Sequence, residues 1–129
     1  MSLNEQHHIS KVVEAYLGAI KTGDTGLFNT AFYNDAVVID AGENDPKKAN
    51  ISIENFAKGI KSNHEKSIRT EEIPLGMSIS YVGRAANVRL DFELRIGDHT
   101  LYGTDYFNLV KRDEKWRISQ KIYYVTHTK

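Results

Sequence analysis

Cysteine is absent from this chain. That excludes disulfides, a thiolate metal site and a cysteine nucleophile, and it fits a reducing, cytoplasmic setting. Neither sign of charge is in excess: lysine plus arginine and aspartate plus glutamate number 17 each. Sequence-independent nucleic-acid binding needs a basic surplus, so no nucleic-acid partner is expected. No apolar stretch approaches ~18 residues, which predicts no membrane span. The opening residues, 1–6, lack the apolar core of a secretion signal. The sequon Asn50-Ile51-Ser52 carries no meaning without export. No Gly-rich phosphate loop lies between a strand and a helix, and no Gly-x-Ser-x-Gly elbow is present. The histidines His7, His8, His64, His99 and His127 form no ligand pair on one helix face. Neither a metal nor a cofactor is therefore expected. Internal repeats and low-complexity segments are also missing.

What is present is the composition of an ordinary globule. The 129 residues are 40% hydrophobic and 26% charged, enough for one domain over 1–129 with a real core. The organising stretch is Ala85–Val125. It reads as three long strands joined by turns at Ile96-Gly97-Asp98-His99 and Arg112-Asp113-Glu114-Lys115. At ~3.3 Å per residue, Ala85–Ile96 spans roughly 40 Å, so the strand must twist and bend. Gly103 marks a bulge in its partner. The concave face of such a sheet needs filling, and the earlier part of the chain supplies helices.

The first helix is predicted over Asn4–Thr22, capped by Asn4 and ended by Gly23. Ile9, Val12, Val13, Tyr16, Leu17 and Ile20 form its apolar stripe, and Lys11 and Glu14 lie off it. Asp24 caps a second helix carrying Leu27, Phe28, Ala31 and Phe32. Asn34-Asp35 turns into a strand, Ala36–Asp40. The polar segment Ala41–Asn50 reads as a loop, with Lys47 and Lys48 beside a presumed pocket mouth. Ser52 caps a third helix, Ile53 to Asn63. A strand follows around Arg69–Ile73, which Pro74 and Gly76 break or confine to an edge, and another short run, Met77–Val82, leads to the long strands. Helices set apart from a run of strands mean an α+β fold.

Three stretches carry a resemblance. They are Val12–Asp24 (VVEAYLGAIKTGD), Phe32–Val37 (FYNDAV), and Gly103–Lys111 (GTDYFNLVK) with Lys115–Ile118 (KWRI) after it. In this order and spacing the chain resembles the nuclear transport factor 2-like superfamily, within it the putative lumazine-binding proteins near the polyketide-cyclase-like branch. The resemblance covers nearly the whole chain. It implies a cone: a curved antiparallel sheet wrapped around about three helices, with a pocket inside and a homodimer formed through the sheet. The pocket is expected to be lined by Tyr16, Phe32, Phe56, Ile60 and Phe107. One superfamily member, ketosteroid isomerase, works with a tyrosine on helix one, an aspartate ending the first strand and an aspartate in the penultimate long strand. Those positions fall on Tyr16, Asp40 and Asp105. The implied roles are Asp40 as proton-shuttling base, with Tyr16 and a protonated Asp105 as hydrogen-bond donors. The isomerase places proline after its base, where this chain has Ala41.

Each residue also has a structural reading. Tyr16 suits a core tyrosine with one hydroxyl partner. Asp40 suits a turn. Asp105 shares strand parity with Phe107 and Leu109 on an apolar face, so it needs a partner or a raised pKa. No lysine or arginine of its own strand shares that parity up to Leu109, which favours the raised pKa; an arginine from another strand, such as Arg89 or Arg117, would instead make it a structural ion pair. Lys111, Arg112 and Lys115 read as a solvated hairpin tip. Along the last strand Trp116, Ile118, Ile122 and Tyr124 share one parity, and Tyr123 and Val125 the other. Apolar groups on both faces imply that both are covered. Three functions are compatible with these features: a pocket for a small apolar or aromatic ligand, a cofactor-free proton-transfer enzyme using Tyr16, Asp40 and Asp105, or a dimeric interaction module.

Overall fold

In the computed structural model, which describes residues 2–129 with side chains from Asn4 onward, helix α1 spans Ser2–Thr22. Its stripe buries Ile9, Val13, Tyr16, Ala19 and Ile20. Asn4 lies inside the helix rather than at its cap. Gly23 ends it with φ +74° and donates its N–H to the Ala19 carbonyl at 2.8 Å. Helix α2 (Thr25–Ala31) is capped by Asp24, whose carboxylate accepts from the Gly26 N–H at 2.8 Å. Phe32, expected on this helix, instead opens strand β1 (Phe32–Asp40). Asn34 and Asp35 are therefore exposed strand residues at a register shift and not a preceding turn. The segment expected as loop folds into a one-turn helix α3 (Pro46–Ala49), capped by Asp45 with Pro46 in its first turn. Strand β2 (Asn50–Ser52) comes next, and Ser52 caps helix α4 (Ile53–Glu65) by accepting from the Asn55 N–H at 3.1 Å.

Four long strands complete the chain: β3 (Thr70–Val82), β4 (Ala85–Ile96), β5 (His99–Arg112) and β6 (Lys115–Thr128). The sheet order is β2-β1-β6-β5-β4-β3. Only the β1–β6 pairing is parallel, and the others are antiparallel. This is the expected α+β architecture, with α1, α2 and α4 against the inner face of the sheet. Among the described residues no helix is long and apolar enough to cross a membrane.

Three single-residue insertions bend the sheet. Of the two outcomes open for Pro74 and Gly76, the structure shows the edge strand: β3 runs unbroken at the edge of the sheet. Leu75 is an extra residue between the pairs Pro74↔Phe92 and Gly76↔Asp91, and β3 is an outer strand where proline's missing N–H costs no ladder bond. Thr126 is extra opposite Tyr102 and Gly103. Ser119 is extra between Leu109↔Ile118 and Asn108↔Gln120. A one-residue insertion turns every later side chain to the other face. Trp116 and Ile118 point inward before Ser119, and Lys121 and Tyr123 point inward after it. The uninterrupted parity expected for this strand thus fails, and Tyr124 is left exposed.

The β5–β6 turn is a two-residue turn with Asp113 and Glu114 at φ 52° and 63°, matching the twist of the hairpin. Lys111 is not solvated as expected. Its Nζ lies 3.0 Å from Glu5 Oε1, and Trp116 Nε1 donates to Glu5 Oε2 at 3.2 Å. One glutamate of α1 therefore ties the helix to the closing hairpin.

Two substitutions test this packing. Trp116 is 4% exposed, so Trp116→Ala should cost about 3–5 kcal/mol in a urea melt. A loss below about 1 kcal/mol would show the indole to be peripheral. At Gly103 a Cβ would lie 2.8 Å from Phe92 Cζ and against the Tyr124 carbonyl oxygen. Gly103→Ala should therefore destabilise by about 1–3 kcal/mol, and an unchanged urea midpoint would contradict the close approach.

Candidate functional site

A cavity of about 290 Å³ lies between α1, α4 and the curved sheet. Its size is near the lower end for small-molecule sites, roughly 300 Å³. Ile20 of α1, Phe56 and Ile60 of α4, and Phe92, Leu94 and Leu101 of the sheet make apolar walls. Its polar lining includes Tyr16, Asp40, Glu72, Lys121 and Tyr123. A larger, open groove of about 480 Å³ runs over His8, Lys11, Trp116 and Arg117. It contains none of the residues that converge at the inner end of the first cavity, which is where the chemistry is concentrated.

At that inner end four strongly buried polar side chains meet. The Tyr16 hydroxyl donates to Glu72 Oε1 at 2.5 Å. Lys121 Nζ lies 3.1 Å from Asp105 Oδ1. Tyr16, Glu72, Lys121 and Asp105 are all buried. The Lys121 ammonium also stands 4.1 Å from the ring centre of Tyr123 and 5.2 Å from that of Phe56. These aromatic faces help to hold a cation away from water. Glu72 also shares a side-chain hydrogen bond with the Asp105 carboxylate, so the four groups form one buried network.

The electrostatics divide the two acids. Burial, then the neighbouring Asp105 carboxylate, hold the Glu72 carboxyl well above its ordinary value, while Lys121 pulls the other way. Burial and the charges of Asp105 and Glu72 likewise raise the Tyr16 phenol. Tyr123 is pushed up to about 12 by burial first and by Asp40 second. The arrangement is one ion pair, Lys121 with Asp105, beside two neutral hydroxyl-bearing groups, Tyr16 and Glu72. It can present hydrogen-bond donors to a guest and can store a proton.

The structure brings Tyr16 and Asp40 to the cavity, with Asp105 behind Lys121. Asp105 is on the inner face and 0% exposed, as its parity implies. It forms the cross-strand ion pair left open by the sequence, but with Lys121 of β6 rather than with Arg89 or Arg117. Asp40 Oδ1 accepts from the Gly42 N–H at 2.9 Å, which is a turn role. Phe56 and Ile60 line the cavity, but Phe32 and Phe107 do not. Both are closed into the core against the Tyr16 ring, at centroid distances of 5.9 and 5.0 Å. Sequence reasoning missed Glu72 and Lys121. Lys121 is turned inward by the Ser119 insertion. Glu72 alternates with Ile73, whose apolar side chain points to the opposite assignment of faces.

The family model described as "Putative lumazine-binding" matches residues 4–124. Among solved structures, a nuclear transport factor 2-like protein of unknown function from Shewanella baltica shares 25% identity, with 100% of this chain and 97% of that chain covered at a TM-score of 0.73. A "Putative Scytalone Dehydratase" from Novosphingobium aromaticivorans shares 20%, over 99% of this chain and 88% of that one, at 0.78. A hexachlorocyclohexane dehydrochlorinase, LinA type 2, shares 12%, over 99% and 89%, at 0.78. At these identities the two enzymes show a shared fold. No functionally curated protein matches the chain in sequence.

The state of Glu72 has a measurable consequence. Its folded form holds the proton more tightly than the unfolded chain, whose carboxyl titrates near 4.5. The contribution to stability is full below that pH and is lost as pH rises through the folded value. The wild type should therefore lose stability relative to Glu72→Gln above about pH 4.5, by up to about 1.4 kcal/mol per pH unit. A pH-independent difference between their urea melts would contradict a neutral Glu72.

Proposed function

This chain belongs to the family described as "Putative lumazine-binding", and we propose that it binds a small apolar or aromatic molecule inside its cone. The observation that carries this reading is the apolar cavity with buried polar groups converging at one end. Apolar walls supply affinity, and a few convergent polar groups fix orientation. A pocket filled by its own side chains would leave no such volume, so the purely structural reading is the weaker one.

Cofactor-free proton transfer is the second reading. It is favoured by Tyr16 and Asp40 lining the same cavity and by the similarity in fold to proteins named as a dehydratase and a dehydrochlorinase. In it Asp40 moves the proton, and Tyr16 with the Asp105 cluster steadies developing negative charge on an oxygen.

The outer face of the sheet supports a two-fold dimer. Tyr106 and Tyr124 are exposed there. Asn87 donates to Asn108 and Asn108 to Gln120, each at 2.9 Å, giving a pre-ordered polar strip beside the tyrosines. Such a mixed aromatic and amide surface suits a sheet-to-sheet contact. Light scattering at micromolar concentration should give twice the chain mass, and a monomer mass would contradict this.

Pocket binding is tested by thermal shift with lumazine and a panel of two-ring aromatic compounds. A ligand at ~100 times its Kd adds about 2.7 kcal/mol, a rise of several degrees in Tm. Saturable rises in the wild type that vanish in Ile60→Trp, which fills the cavity, are expected. No saturable rise with any compound would contradict the reading.

A further inference from the structure

We propose that the Lys121 ammonium is an open cation–π site in the cavity wall, so that the cavity selects electron-rich aromatic rings over electron-poor rings of the same shape. This rests on the pocket-binding reading and specifies which kind of ring the pocket takes.

The site is a buried cation whose aromatic shell lacks one side. Lys121 is 3% exposed and lines the cavity. Its Nζ stands 4.1 Å from the ring centre of Tyr123, 5.2 Å from that of Phe56 and 5.7 Å from that of Tyr16. All three rings line the same cavity, so the ammonium they surround stands in its wall. Asp105, buried behind that wall, holds the ammonium from the other side at 3.1 Å. The side left over faces the guest. A cation kept from water attracts a ring face more strongly than a solvated one does, and a guest ring supplies the missing face.

The sign of the ring's own charge distribution decides the chemical class. Lys121 is balanced by Asp105, so a neutral guest leaves the ion pair intact. Ile60 and Leu94 supply apolar contact to any flat ring of the right size. They do not separate an electron-rich face from an electron-poor one. The ammonium does, because it is drawn to the negative face of the ring, and fluorination drains that face. Asp40, an anionic group of the same lining, is turned to the Gly42 N–H at 2.9 Å. Fluorine also adds apolar surface. Burial alone therefore makes each added fluorine strengthen binding, whereas the cation makes it weaken binding.

The test titrates indole, 5-fluoroindole, 5,7-difluoroindole and 4,5,6,7-tetrafluoroindole into the full-length wild type by calorimetry. Shape changes little along this series, while the ring face loses electron density at each step. Affinity should fall stepwise, by about tenfold from indole to the tetrafluoro compound. Lys121→Met keeps the apolar stem and removes the charge, so its affinities should be level or should rise with fluorine count. If Lys121→Met does not fold because Asp105 is stranded, the double variant K121M/D105N replaces it. The sign of the wild-type series stands without either variant. A wild-type affinity that is flat or rises with fluorine count, or the same fall in the charge-free variant, would overturn the cation–π site while leaving the pocket reading intact. Binding of none of the four would defeat the pocket reading itself, and this site with it.

Discussion

The ion pair between Lys121 and Asp105 sits in the inner part of the cone, where neither group reaches water. Moving both charges from water is expensive, and the pair is tolerated only if its surroundings supply compensation. The rest of the inner structure can be understood from that requirement. Tyr123 and Phe56 turn their ring faces toward the ammonium. Glu72, next to a carboxylate it cannot escape, keeps its proton. Tyr16 donates its hydroxyl to Glu72 and is itself wedged between Phe32 and Phe107. Ser119 makes the whole arrangement possible, because without that extra residue Lys121 would point outward.

A buried pair of this kind is poor evidence for stability. Breaking it by removing one partner typically costs about 3–5 kcal/mol, yet replacing both by apolar groups is often neutral or better. Its presence at an apolar cavity suits serving a guest better than holding the sheet together. Stability comes from elsewhere: the stripe of α1 on the sheet, the aromatic contacts of Phe28 with Phe32 and Phe56, and Trp116 anchored on Glu5.

Much of the fold was legible because its signals are local. Asp24 and Ser52 cap helices where a short oxygen-bearing side chain precedes an apolar stripe, and Gly23 ends one in the left-handed region. The last two hairpin turns fall where charged and glycine clusters interrupt β-branched runs. Asp105 could be placed inside by strand parity alone. The features that could not be read depend on insertions that leave no residue signature. Ser119, Thr126 and Leu75 look like ordinary strand residues, yet each resets the parity of the side chains after it. Lys121 was hidden for that reason. Glu72 was hidden by its neighbour Ile73, since alternation puts the apolar residue inside. Phe32 and Phe107 were legible as buried, but whether a buried ring faces a cavity or a neighbouring ring is a property of the tertiary packing.

The central claim is that Glu72 is a neutral acid beside an ionised Lys121–Asp105 pair. Infrared difference spectroscopy of the unliganded protein at neutral pH, wild type against Glu72→Gln, tests it most directly. The account predicts that the substitution removes a protonated-carboxyl C=O band while leaving the carboxylate bands unchanged. Loss of carboxylate intensity instead, with no protonated-acid band in the wild type, would mean that Glu72 is charged and would contradict it.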